Sequence, residues 1–469
     1  LNISVEKRSS NSLLYKTGSV NMKKLLFVLF TISLLFNTTF AQNSTSDVEK
    51  NSDWPTFLGP NGNGKSNETG LNFDWPDTGL PIVWTHEMAK GLAAPSIVDG
   101  RLFLFDREGD TARLNCLNAE TGKELWQFSY PCEYDDMYGF DDGPRTTPLV
   151  DGKRVYIFGV EGMLHCLNVE DGSVIWKMDT AERFGVVLNF FGVGSTPVVE
   201  GNMLICAIGG SPETSYANVY AAQGDLTGNG SGLVAFNKMT GEIIWQSSDE
   251  LASYASPKIA TINGQRKGIW FARGGLVMFN PENGTVDFHY PWRAKKLETV
   301  NASNPVIVRN RVFISECYAI GSSLLEINGD GYSVVWKDER RSRNKAMELH
   351  WTTAIHHDGY LYASNGRRSG NAEIRCIEFA TGKVMWTEKI TEMSSLIYAD
   401  GHFISLGERG TLGLFKANPQ KAEFLASYKP ADKDGNPLIE YPAWAPPVIA
   451  NGKLYLHGDK RLICLDLKS

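Results

Sequence analysis

The 469-residue chain carries 46 Lys and Arg against 53 Asp and Glu, a formal charge of −7 at pH 7, with 42% hydrophobic residues, 46 glycines and 20 prolines. The acidic balance gives no electrostatic reason to expect nucleic acid as a partner. Helical periodicity is almost absent, and the length suits either two ordinary domains or one fold built from many small modules.

Residues 1–21 are polar, begin with Leu and precede Met22, so an over-extended reading frame is expected there. Met22-Lys23-Lys24 opens a basic stretch, residues 25–36 are apolar, and Thr39-Phe40-Ala41 places small residues before Gln42. This is the pattern of a secretory signal peptide over 22–41, cleaved after Ala41; the apolar run is too short to span a bilayer, and no transmembrane segment is expected. No Cys follows the cleavage point, so no lipid anchor is indicated, and a periplasmic or secreted protein is expected. Residues 42–80 form a lead segment.

From residue 81 to the end the chain repeats. Leu114-Asn-Cys-Leu-Asn-Ala-Glu-Thr-Gly-Lys-Glu-Leu-Trp126 returns as segments ending at Trp176 and Trp245, with looser copies ending at Tyr290, Trp336, Trp386 and Tyr428. Each copy alternates apolar and polar residues, turns at Thr-Gly or Asp-Gly, and alternates again, as a β-hairpin does. A period of roughly 40–50 residues with four short strands per unit predicts a β-propeller. Seven units are complete. The eighth, from Ala445 to Leu467, lacks its outer strand, which the isolated Ile82-Val83-Trp84 can supply. The fold expected over 81–469 is therefore all-β: an eight-bladed propeller of four-stranded antiparallel blades, closed by an N-terminal strand that removes an exposed edge.

Seven cysteines in an exported chain raise the question of disulfides. Cys116, Cys166, Cys376 and Cys464 instead occupy one repeat position, where the third repeat has Ala235, which suggests a small apolar slot. Cys132, Cys206 and Cys317 fall elsewhere, and an odd total leaves a free thiol in a monomer. Oligomeric state is otherwise open, with a monomer as the working expectation.

Loop length is distributed unevenly. Turns between strands one and two, and three and four, are tight, as at Asp99-Gly100 and Thr121-Gly122. The long connections, 131–145, 179–194, 211–231, 291–302, 338–350, 366–372 and 430–443, all belong to the opposite face, which is expected to bind a protein or small-molecule ligand. That face is chemically divided, acidic and aromatic at Glu133 to Asp142, basic at Arg293, Lys295, Lys296, Arg340, Arg341, Arg343, Arg367 and Arg368. Aromatic rings beside cations suit carbohydrate, quinone or peptide ligands.

Residues just before the innermost strands should line the mouth of the central funnel: Arg145, Ser195, Tyr254, Asn301, Asn304, His350, Trp351 and Trp444. His350 is the candidate for acid–base work, and no other catalytic residue is assigned. Asp225, Thr227 and Asn229 alternate as in half of a calcium loop, but position 236, where a bidentate Glu would stand, is Phe, so a glycine-rich turn is expected and no metal site is assigned.

The repeated Thr-Gly-Lys and Trp pattern resembles the pyrroloquinoline quinone (PQQ) repeat family across residues 81–469. Asp53-Trp-Pro-Thr-Phe-Leu-Gly-Pro60, Gly143-Pro-Arg-Thr-Thr-Pro148 and Phe288-His-Tyr-Pro-Trp-Arg293 resemble exported members of that group. The resemblance implies kinship with BamB-type assembly scaffolds and with quinoprotein alcohol dehydrogenases. The latter hold PQQ against a Trp and a vicinal disulfide, with Ca²⁺ bound by Glu and Asn and an Asp as base. This chain has no Cys-Cys pair, and none of those residues maps to a position here. The expected function is thus binding or scaffolding through the long-loop face without a cofactor, with a PQQ- and Ca²⁺-dependent alcohol dehydrogenase as the alternative. Whether any catalysis occurs stays open, and the balance leans against it.

Overall fold

The computed structural model describes residues 52–468 apart from 213–215, 217 and 220. The expected leader and residues 1–21 lie outside the described residues. Eight four-stranded antiparallel sheets follow one another along the chain, with a five-residue helix, Thr180–Phe184, and a single 3-10 turn, Ser369–Asn371, as the helical elements among the described residues. The first blade is built from Ser96–Val98, Arg101–Glu108, Thr111–Asn118 and Glu124–Pro131, in that spatial order. The short first strands of successive blades meet around the axis.

The repeat has a physical cause at the blade junctions. Trp126 in the outer strand of blade 1 donates its indole Nε1–H to the Val169 carbonyl of blade 2 at 3.1 Å, and its ring rests on Gly172 in the turn of that blade. Trp176, Trp245, Trp336 and Trp386 make the same bond to Lys238, Pro281, Phe379 and Asn418, at 2.8 to 3.2 Å. Each Trp thus combines burial of a large ring with one satisfied donor, and at all of these but Trp386 a turn glycine leaves room for the ring. Trp126, Trp176 and Trp386 stand opposite Cys116, Cys166 and Cys376, and the register slips by one residue just beyond each pair. All seven cysteines are free and buried.

The ring closes as the unpaired eighth unit predicts. Ile82–Glu87 pairs antiparallel with Arg461–Asp466, and Trp84 stands opposite Cys464, the same register as in the continuous blades. Trp84 donates Nε1–H to the Ala119 carbonyl of blade 1 at 3.0 Å and lies over Gly122. The interrupted hairpin of blade 8 even keeps its turn glycine. Gly79, at φ +85°, sits beneath the ring of Tyr428, whose hydroxyl accepts from Leu80 N at 2.9 Å. An L side chain at position 79 would meet both a disfavoured φ and the Tyr428 ring.

The lead segment has a role that its sequence did not suggest. Trp54 exchanges two backbone bonds with Ile97 of blade 1, at 2.7 and 2.9 Å, and the Pro55 carbonyl accepts from Val150 of blade 2 at 2.8 Å. Gly64 and Ser66 bond Tyr398 of blade 7, both at 2.9 Å. Between them, Gly62 passes Lys258 of blade 4 and Gly64 passes Ile355 of blade 6. Residues 54–66 therefore lie across the axial channel. They do so at its short-turn end, because Ile97 and Tyr398 adjoin the Asp99-Gly100 and Asp400-Gly401 turns.

Candidate functional site

Above this plug, on the long-loop side, is a cavity of about 830 Å³. Phe57 and Leu58 of the lead segment line it, and the rest of its wall comes from loops between blades, from the strand two–three loops at Tyr318, Arg367 and Glu408, and from Ser395 and Leu396 of the strand Ser394–Ala399. It is thus a cup with its floor toward the plug and its mouth toward the long loops.

The acidic loop at 133–142 explains how one wall forms. Asp136 accepts from the backbone amides of Tyr138, Phe140 and Asp141, and Asp142 from that of Asp136. Asp141 accepts from Gly143 N at 2.6 Å and Gly91 N at 3.2 Å. Burial pushes the Asp141 carboxyl above the usual range, opposed by those amides and by Arg145. The carboxylates hold the loop together, and the loop presents Tyr138 and Phe140 to the cup. Composition alone suggested an acidic patch; the structure turns Asp136 and Asp141 inward and the rings outward, and leaves Glu133 and Asp135 exposed.

The aromatic lining is continuous. Tyr318, His350, Trp351, Trp444, Phe140, Phe191 and Tyr254 follow one another with ring centroids 5.1 to 6.3 Å apart. Their interplanar angles run from 46° to 69°, so each ring is tilted against the next. Arg367 lies over Tyr318 at 4.3 Å, and Arg409 lies over Tyr441 at 5.4 Å, with Tyr441 edge-on to Trp444. Five cationic side chains line the cup, Arg145, Lys296, Arg367, Arg368 and Arg409, against the carboxylates Glu298 and Glu408. Glu408 accepts from Trp444 Nε1 at 3.2 Å and from the Ser369 hydroxyl.

Of the eight residues expected at the funnel mouth, Arg145, Tyr254, His350, Trp351 and Trp444 line the cup together. Arg145 donates to the carbonyls of Asp141 and Gly143, at 2.6 and 2.8 Å, and braces the acidic loop. The Tyr254 hydroxyl accepts from Phe191 N at 2.7 Å, and burial raises its pKa. Burial, helped by Arg367, lowers His350 to about 4, so the ring is neutral at pH 7. Its Nδ1 and the neighbouring Trp351 Nε1 are buried without hydrogen-bond partners.

The other three sit in the wall behind the cup. Ser195 donates to the Ala255 carbonyl at 3.1 Å, and Asn304 Oδ1 accepts from Ser256 N at 2.9 Å. Asn301, fully buried, donates to the carbonyls of Ala272, Arg273 and Trp292. These polar groups tie neighbouring blades together. Asn229 of the calcium-like turn likewise donates to the carbonyls of Phe184 and Ser211, both at 2.9 Å. Sequence reading missed Phe191 and Arg409, which carry no local signal beyond being aromatic or basic in a loop.

A Ca²⁺-bound quinone needs several oxygen donors converging beside a flat slot. Glu408 is already engaged, Glu298 is exposed, and no group of three His, Cys, Asp or Glu side chains is placed to hold a metal among the described residues. No two cysteines are adjacent. The residues present do not fit the dehydrogenase arrangement.

Comparison with known proteins gives the following. The family model described as outer membrane protein assembly factor BamB matches residues 110–388. The BamB of Escherichia coli strain K12 is 27% identical over 170 residues, covering 34% of this chain and 38% of that protein. The quinoprotein alcohol dehydrogenase PedH of Pseudomonas putida is 24% identical over 153 residues, covering 33% of this chain and 22% of that enzyme. These matches span well under half the length of either relative. The crystal structure of BamB from Moraxella catarrhalis superposes with a TM-score of 0.52 at 11% identity, covering 83% of this chain and 98% of that one, a likeness of fold.

Proposed function

The chain belongs to the family of the outer membrane protein assembly factor BamB, and from that premise we propose that it is an exported binding protein that seats its partner on the long-loop face, anchored in the axial cup. The observation that carries this reading is the cup itself: a closed floor, a continuous aromatic wall and an excess of cations on the side where every long connection lies. Pockets of this size and lining are built to enclose an organic group. Binding needs no more than this, whereas catalysis would need an acid, base or nucleophile with a partner. His350, the candidate for that work, has no hydrogen-bond partner at Nδ1 among the described residues to orient it.

Two measurements test the proposal. A photo-crosslinking residue at Tyr441, exposed beside the cup, should capture envelope material, and one at Lys123, exposed on the opposite face, should not. Equal capture from both positions would count against a dedicated face. Thermal unfolding with PQQ, with Ca²⁺ and with both should show no shift that requires the pair. A bound ligand at about 100 times its dissociation constant stabilises by roughly 2.7 kcal/mol. Such a shift, followed by dye-coupled alcohol oxidation, would overturn the binding reading in favour of the quinoprotein one.

A further inference from the structure

We propose that the cup receives the end or side branch of an acidic saccharide, a carboxylate-bearing sugar chain of the uronate class; this rests on the reading of the long-loop face as the binding face. Three features of the cup lead there.

The first is ring geometry. A flat heteroaromatic ligand is held best between parallel faces, but no two successive rings from Tyr318 to Tyr254 are parallel; the smallest angle between them, Trp351 to Trp444, is 46°. Rings tilted around a bowl instead offer several faces to the C–H edges of a puckered, saturated ring, while the hydroxyls of that ring stay free for polar partners.

The second is charge. Lys296, Arg367, Arg368 and Arg409 line the cup, and among the described residues no carboxylate is in ion-pair contact with any of them. Arg367 and Arg409 are held over Tyr318 and Tyr441, which fixes each guanidinium beside the aromatic wall. A guanidinium so placed is ready to take a carboxylate in two-point contact.

The third is access. The plug closes the floor at Phe57 and Leu58, so a polymer cannot thread the axis and only a terminus or branch can enter. An extended peptide would bind by adding to a strand edge or lying in a groove. The cup wall is made mainly of loops and side chains and is closed at one end, which disfavours both. A peptide held only by the Arg cluster is the outcome that the tetraglutamate titration detects.

The experiment is calorimetric titration of the protein with tetramers of galacturonate, glucuronate and mannuronate, with the methyl-esterified galacturonate tetramer, and with a tetraglutamate peptide. At least one uronate tetramer should bind. Its methyl ester should bind at least tenfold more weakly, and so should the uronate to Arg367→Ala and to Arg409→Ala, since a charge-assisted contact is worth about that factor. Trp444→Phe keeps a ring and should weaken binding less than Trp444→Ala. Lys123→Ala, on the far face, should bind as the parent does. Failure of all three uronates, equal affinity for acid and ester, or equal affinity for tetraglutamate would each overturn the proposal. If the uronates fail while crosslinking at Tyr441 persists, the binding face stands and only its ligand class falls.

Discussion

Replacing Trp84 with alanine should loosen the contact that joins the last blade to the first. Trp84 is 9% exposed, packs beside Tyr455 at 5.9 Å and over Gly122, and donates to the Ala119 carbonyl at 3.0 Å. Truncating a buried Trp to Ala costs about 3–5 kcal/mol, most of it from lost packing and the cavity left behind. The hydrogen bond contributes about 1 kcal/mol of that. Its loss orphans nothing, because the Ala119 carbonyl also accepts from the Tyr455 hydroxyl at 3.3 Å. Trp84→Phe, which keeps part of the ring and removes the donor, should therefore cost less, about 1–3 kcal/mol. Urea unfolding followed by far-UV circular dichroism gives both numbers, and amide exchange along Arg461–Asp466 should accelerate in the alanine variant first. A loss below about 1 kcal/mol for Trp84→Ala, or equal losses for the two variants, would refute the claim that ring packing closes the propeller.

The same contact can be tested from the other side: Gly122→Ala puts a Cβ 2.7 Å from the Trp84 ring at φ +69°, and should destabilise by at least about 1 kcal/mol in the same unfolding assay. Trp54→Ala should release the plug without unfolding the blades, seen by hydrogen exchange as lost protection of the Ile97, Val150 and Tyr398 amides, which bond Trp54, Pro55 and Gly64. Asn301→Ala removes an amide shared among three buried carbonyls and should cost about 1–3 kcal/mol of stability, while the affinity of the cup for its ligand stays within twofold; a loss of affinity alone would return Asn301 to the site. Burial raises the Glu316 carboxyl to about 8. The folded chain then holds a proton that the unfolded chain has released, so this group makes stability fall as pH rises from about 4.5 to 8. Glu316→Gln should flatten that slope in urea melts and be relatively more stabilising at pH 8.5 than at pH 5.

The blade count and the closing strand were legible because each rests on a local, repeated signal. The Trp and the turn glycine recur because one docks on the other across five of the junctions, with Tyr428 on Gly79 at a sixth, and the eighth unit advertises its missing edge by ending early. The plug was not legible. Its partners, Ile97, Val150 and Tyr398, lie dozens to hundreds of residues away, and its backbone bonds leave no side-chain periodicity behind. Arg145, Tyr254, Trp351 and Trp444 each stand four residues before the first strand of their blade and line the cup, whereas Ser195 and Asn304 stand three and two residues before theirs and reach sideways to backbone. Asn301 shares the position of His350, but its shorter side chain bonds carbonyls in the wall. The acidic loop misled for a related reason: composition counts charges, but Asp136 and Asp141 spend them on their own backbone amides.

The segment that crosses the axis also decides the traffic through this molecule. A ring of eight blades left open would have two doors, and a molecule could enter by one and leave by the other. With Trp54 and Pro55 bonded to one side of the inner wall and Gly64 and Ser66 to another, only one door remains. A molecule entering from the long-loop side would have to back out the way it came, and nothing could follow it until it had left.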